Sequence, residues 1–72
     1  EEAIKCYDKV LEIDPESVHA LYNKGNALYN IGNYEDAIEC YDKALEIDPN
    51  SDIIKHNLKV AREKLEELER SV

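Results

Sequence analysis

The chain repeats itself after 34 residues. Residues 1–17 and residues 35–51 align without a gap, and thirteen of the seventeen pairs are identical, among them Tyr7 with Tyr41. A fixed period of this length predicts a helical solenoid, in which neighbouring units bury each other's apolar faces. Stacked units of this kind present an extended surface to other molecules, so the period favours binding over catalysis.

The spacing of apolar residues predicts four helices. We place them at residues 1–13, 18–31, 34–47 and from about residue 52 to the end of the chain. Residues that end helices follow the first three of them, namely Pro15, Gly32 and Pro49. Ser17 and Asn33 are expected to cap the helices that they precede, and Asp36 approximates a capping box with Asn33. No strand is predicted, so the fold class is all-α.

Nine residues between Val18 and Ser51 indicate the kind of repeat. They are Leu21, Gly25, Leu28, Gly32, Tyr34, Ala37, Tyr41, Ala44 and Pro49. At these spacings the segment resembles the tetratricopeptide repeat (TPR) family. The resemblance implies antiparallel helix-turn-helix repeats of a TPR-like α-solenoid. It places one complete repeat at residues 18–51, the second helix of a preceding repeat at 1–17, and a C-terminal capping helix at 52–72.

Two lysines depart from the pattern that the resemblance implies. Lys24 stands where the family usually has Leu, so we expect the packing around it to be disturbed. Lys59 stands where the family has a small Gly, so the last helix is not expected to receive another helix closely. The apolar stripe of that helix has two interpretations. It caps the open end of the solenoid, or its final residues bind a partner helix; those residues are Leu65, Leu68 and Val72.

Charge and hydropathy exclude several classes of partner. The net charge is -8, and residues 1–51 carry all of it, because they hold four lysines and twelve acidic residues. Nucleic acid is disfavoured because its phosphates require a basic stripe, and an acidic membrane surface is disfavoured for the same reason. No apolar run approaches the roughly 20 residues of a membrane span, and no signal-peptide pattern opens the chain. We therefore expect a cytoplasmic protein. A start without Met in the middle of a repeat suggests further repeats upstream in a parent chain.

A stripe on the first helix of the complete repeat is the candidate binding surface. Its members follow steps of three and four residues and have no predicted role in the core; they are His19, Tyr22, Asn26, Tyr29, Asn30 and Asn33. The resemblance implies that this stripe lines a concave groove for an extended peptide or a partner helix. Asn side chains both donate and accept hydrogen bonds, and Tyr offers flat contact area. The alternative is a solvated helix face without a ligand.

Charge on and around the stripe limits the kind of peptide. Some TPR proteins hold a C-terminal carboxylate with a Lys and an Asn in this groove. Asn26 matches that Asn, but Tyr22 occupies the place of the Lys, so we predict that the carboxylate clamp is absent. The acidic chain favours a neutral or basic segment through electrostatic steering.

The remaining reactive residues do not form a recognisable site. Cys6 and Cys40 occupy equivalent places in successive helices, about 8–10 Å apart, whereas a disulfide needs α-carbons within about 7 Å. We predict two free, partly buried thiols. His19 and His56 lie apart from the cysteines and from each other, so no zinc site is expected. We accordingly predict no cofactor, no metal and no enzymatic activity.

The first helix supports a second hypothesis. No preceding helix in this chain covers its apolar residues, which are Ala3, Ile4, Tyr7 and Leu11. Exposed apolar patches are frequent interaction sites. The protein would then be a structural module that forms a homo-oligomer, in which copies stack end to end or exchange helices.

Overall fold

Four α-helices make up the part of the chain that the computed structural model describes, residues 2–71. They are α1 (Glu2–Ile13), α2 (Val18–Asn30), α3 (Tyr34–Ile47) and α4 (Asp52–Arg70). Short connections make consecutive helices antiparallel. Each helix packs on the next, and α2 and α4 also touch each other where both lie on α3. The predicted all-α fold of helix-turn-helix repeats is confirmed.

The core lies where α3 is enclosed between α2 and α4. Tyr41 is the largest fully buried side chain, and the small residues Ala37 and Ala44 on the same face of α3 are 0% exposed. From α4 the core receives its predicted apolar stripe, Ile54, Leu58 and Ala61. Small residues on α3 allow the helices to approach closely, so side-chain volume is tightly constrained here.

Serine caps begin both helices that follow a proline turn. The Ser17 Oγ accepts a hydrogen bond from the Ala20 backbone N–H at 3.2 Å, as predicted for the start of α2. The Ser51 Oγ accepts from the Ile54 N–H at 3.4 Å at the start of α4. The two caps lie 34 residues apart, so the sequence period is reproduced in the local structure.

The turn between α2 and α3 depends on Gly32. Its φ of 85° lies in the left-handed region, which ends α2 at Asn30, one residue before the predicted end. The Gly32 N–H donates to the Tyr29 carbonyl at 3.0 Å and the Asn33 N–H to the Leu28 carbonyl at 2.9 Å, which is a Schellman motif.

The capping box predicted at Asn33 is not formed. Asn33 occupies the N-cap position of α3, but its side chain accepts no backbone hydrogen bond. Instead its Nδ2 donates to the Asp36 Oδ2 at 2.8 Å. The amide therefore binds the carboxylate that it was expected to complement.

Lys24 does not disturb the packing, which corrects the expectation from the sequence. Its Nζ lies 2.6 Å from the Asp8 Oδ1, so the ammonium group reaches across to α1 and remains 26% exposed. Asp42, the equivalent of Asp8 one period later, pairs with Arg62 on α4 at 3.5 Å. A long aliphatic stem packs at the interface while its charge stays at the surface.

The two cysteines differ in exposure. Both are free, as predicted, but Cys40 is buried and Cys6 is exposed, so the prediction of a partly buried thiol is wrong for Cys6. No helix over residues 2–71 has the length and apolar character needed to cross a membrane. The same residues contain no cluster of metal-ligating side chains.

The outer helices leave apolar side chains accessible. No residue of α1 is fully buried within the described range. Ile4 and Leu11 pack on the core, whereas Ala3 and Tyr7 are half-buried and lie outside it. At the other end, Leu65 is half-buried and Leu68 is 52% exposed. Val72 lies outside the described residues.

Candidate functional site

A concavity lies between α2 and α4, and α3 forms its floor. Its volume is about 330 Å³, and its walls are formed by six residues, Asn26, Tyr29, Asn30, Tyr41, Asn57 and Val60. None of these side chains carries a formal charge. The surface combines amide and hydroxyl groups with the apolar Val60, as is typical of sites that bind a polar segment without an ion pair.

A hydrogen-bond network connects the three helices at this concavity. The Tyr41 hydroxyl on α3 donates to the Asn26 Oδ1 on α2. The Asn57 Nδ2 on α4 donates to the same oxygen at 3.1 Å and to the Tyr22 hydroxyl oxygen at 3.2 Å. Since Asn26 Oδ1 accepts two hydrogen bonds, the orientation of its amide is determined by the protein.

The network leaves one donor group and one acceptor group without a protein partner. Among the described residues, neither the Asn26 Nδ2 nor the Asn57 Oδ1 forms a hydrogen bond with another protein atom. Neither atom is a buried, unsatisfied group. An amide donor beside an amide acceptor matches the C=O and N–H that a peptide backbone presents.

Aromatic rings pack around the network. The rings of Tyr22 and Tyr41 lie 6.3 Å apart between centroids. Tyr29 contacts Tyr34 edge to face at 5.1 Å, which orients its ring at the wall of the concavity. Burial raises the pKa of Tyr41 to about 12, so its hydroxyl remains a hydrogen-bond donor at neutral pH.

The structure separates the six residues of the predicted stripe into two groups. Asn26, Tyr29 and Asn30 line the concavity. Tyr22 lies behind it, where its hydroxyl accepts from Asn57. The other two do not line it: His19 is exposed near the start of α2, and Asn33 follows the end of α2.

Two stripe residues also have structural roles that were not predicted. Tyr22 and Tyr29 pack against the core, and Asn26 joins α2 to α3 and α4 through hydrogen bonds. The expectation that none of the stripe supports the core is therefore wrong. A polar residue at a helix interface was mistaken for a solvated one because its partners are distant in sequence.

Three wall residues of the concavity were not predicted from the stripe. Tyr41 was assigned to the core alone, while Asn57 and Val60 belong to α4, which was treated as a cap. A signal for Val60 was present, because it lies 34 residues after Asn26 and so occupies the equivalent place on the next helix. No comparable sequence signal indicated that the Asn57 amide would turn toward Asn26.

Comparison with known protein families gives two matches. Residues 18–51 match the family described as Tetratricopeptide repeat, and residues 1–32 match the one described as TPR repeat. Together these matches cover residues 1–51. The comparison with curated proteins gives no match. TPR repeats form a noncatalytic fold that generally mediates protein–protein interactions. On the evidence of its period, its helix pairs and these two matches, this chain belongs to the tetratricopeptide repeat family.

Proposed function

We propose that the protein is a noncatalytic interaction scaffold whose concavity binds an extended peptide segment of a partner protein. The observation that carries the proposal is the unpaired amide donor of Asn26 beside the unpaired amide acceptor of Asn57. A peptide group placed there would satisfy both atoms. Two hydrogen bonds of this kind contribute about 0.5–1.5 kcal/mol each, so further contacts are needed for micromolar affinity.

The walls of the concavity supply those contacts. Tyr29 presents an aromatic ring that Tyr34 holds in place, and Val60 adds apolar area on the opposite side. Asn30 is exposed at the rim and is available for a third polar contact. Rigid aromatic area beside amides suits a segment that is read through its backbone and one or two side chains.

Charge selects among peptides through the field of the whole chain. The walls are uncharged, whereas the chain has a net charge of -8. Neutral and basic segments should therefore associate faster than acidic ones, and the difference should shrink as salt screens the field. The same peptide flanked by Lys or by Glu, measured at low and at high salt, tests this preference.

Selection from a random peptide library displayed on phage tests the proposal directly. Selected peptides should shift the NMR signals of the Asn26 and Asn57 side-chain amides. Asn30→Ala should weaken binding by about three- to tenfold, because it removes one rim contact. Asn50→Ala is the matched control, since Asn50 is exposed in the turn before α4. A library without enriched binders, or binders equally sensitive to both substitutions, would contradict the proposal.

Self-association is the second candidate function, and the surface of α1 favours it. Tyr7 and Ala3 remain half-exposed, although their equivalents Tyr41 and Ala37 are almost fully buried. The predicted patch also contained Ile4 and Leu11, which the structure turns toward the core. Light scattering across a dilution series tests this function. A mass that stays at 8.3 kDa would exclude it.

A further inference from the structure

The α1 helix presents a face that is buried in its repeat equivalent. Ala37, Tyr41 and Ala44 form this face on α3 and are 0%, 1% and 0% exposed. The residues 34 positions earlier on α1 are Ala3, Tyr7 and Val10. The first two are only half-buried and Val10 is 44% exposed. We call these three residues the open face of α1.

The helix that covers α3 shows what kind of surface complements this face. On α2, Leu21 and Leu28 are buried in the core on either side of Gly25. The Tyr41 ring occupies the space beside Gly25, where a Cβ would lie 2.6 Å from the ring. The complement is therefore an amphipathic helix with a glycine opposite the tyrosine, one Leu four residues before it and another three residues after it.

A second copy does not offer such a helix in the register of the repeat. The available helix would be α4, whose residues 34 positions after Leu21, Gly25 and Leu28 are the exposed cations Lys55, Lys59 and Arg62. Their burial against an apolar face without partners would cost several kcal/mol, by the general penalty for desolvating charges. The sequence period thus identifies the complement, and the charges on α4 exclude the chain's own last helix from that role.

We propose that the open face of α1 binds an amphipathic helix of another protein, with the pattern Leu-x3-Gly-x2-Leu on its apolar side. The helix would pack its glycine against Tyr7, as α2 packs Gly25 against Tyr41. This surface is distinct from the concavity between α2 and α4. The protein therefore has two interaction sites, one for an extended peptide and one for a helix.

The test uses a synthetic peptide of residues 16–33, which carries the pattern, added to the intact protein. Cys6 serves as the reporter, because its equivalent Cys40 is 8% exposed whereas Cys6 is exposed. Docking of the helix should slow the alkylation of Cys6 and leave Cys40 protected. Mass spectrometry of the digested protein measures the two thiols separately.

Two substitutions provide controls. The peptide with Gly25→Leu should bind about tenfold more weakly or worse, because the added side chain overlaps the tyrosine ring. The protein with Val10→Glu should lose protection of Cys6; Val10 is already 44% exposed, so this variant retains the fold. Tyr7→Glu gives a second, independent substitution on the same face.

A fusion removes the dependence on the helicity of a free peptide. The same segment joined to the N-terminus through a Gly-Ser linker acts at an effective concentration of about 1 mM. The melting temperature should rise, and it should not rise when the fused segment carries Gly25→Leu. An equal melting temperature for both fusions would overturn the proposal.

Other outcomes would overturn it as well. Exposure of Cys40 on addition of the peptide would mean that the peptide displaces α2 from α3. Insensitivity to Val10→Glu would place binding elsewhere. A mass above that of the monomer without peptide, reduced by Val10→Glu, would assign the open face to a second copy.

Discussion

The ring of Tyr41 on α3 occupies the space that Gly25 leaves open on α2. A Cβ at Gly25 would lie 2.6 Å from Tyr41 Cε1 and 2.9 Å from Cδ1, closer than any relaxed contact. The ring has little freedom to retreat, because it is 1% exposed and its hydroxyl is bonded to Asn26. The glycine is therefore required by side-chain packing, even though it lies inside a helix.

Gly25→Ala should destabilise the protein. Overpacking a filled core costs about 1–3 kcal/mol, while alanine's higher helix propensity returns about 1 kcal/mol. We expect a net decrease in the free energy of unfolding, measured by urea denaturation. Gly32→Asn is the control, because nothing lies within 4 Å of that position and Asn tolerates the left-handed conformation. An unchanged or increased midpoint for Gly25→Ala would contradict the packing described here.

Ala37→Leu should also destabilise the core, and its repeat equivalent provides the control. Ala37 is 0% exposed, so the larger side chain has no space and should cost roughly 1 to 3 kcal/mol. Ala3 is half-buried on α1, and Ala3→Leu should change stability by less than about 0.5 kcal/mol. Thermal denaturation of both variants measures the difference. Equal melting temperatures would show that α2 does not enclose this face of α3.

Tyr41 should ionise later than the other tyrosines as the pH rises. Burial raises its pKa to about 12, whereas the unfolded chain ionises near 10. Above pH 10 the unfolded state releases this proton first, so the free energy of unfolding falls until the folded pKa is passed. Ultraviolet absorbance of the phenolate follows the ionisation directly. Tyr41→Phe should remove the last titration step; its persistence would assign the raised pKa to another tyrosine.

The ion pair between Lys24 and Asp8 should make a small but measurable contribution. A double-mutant cycle with Lys24→Ala and Asp8→Ala should give a coupling energy of about 0.2–1 kcal/mol, which salt reduces. The pair of Asp42 and Arg62 is the control, because it is longer at 3.5 Å and more exposed, and its coupling should be smaller. The reverse order would contradict the geometry.

The same pair has a defined dependence on pH. The hydrogen bond from Asp8 raises the pKa of Lys24 despite the opposing effect of burial. A raised folded pKa means that the stabilisation is complete below the ordinary lysine value of about 10.4. It is lost as the pH rises through the folded pKa. The coupling energy should therefore be constant from neutral pH to about pH 9 and decrease above it.

Helix boundaries were predictable from the sequence because local interactions determine them. Ser17 caps α2 through a residue three positions away, and Gly32 ends α2 through its own backbone conformation. These effects depend on neighbours within one turn. The boundaries of α3 agreed with the prediction to the residue for the same reason.

Contacts between distant residues were not predictable in the same way. Asn57 bonds to Asn26 across 31 positions, and Lys24 pairs with Asp8 on another helix. Residue type alone gave Asn26 the character of a solvated surface residue and Lys24 that of a packing defect. Both assignments depend on how closely α2 approaches its neighbours, which the hydropathy pattern does not contain.

The fixed amide of Asn26 has a consequence for molecular recognition. Two donors hold its oxygen, so rotation of the amide by half a turn would place its NH2 group against both of them. A ligand therefore meets a donor at one point of the concavity and the Asn57 acceptor at another. A peptide and its reversed sequence offer the same side chains but opposite backbone polarity, and this arrangement would distinguish the direction in which a chain runs.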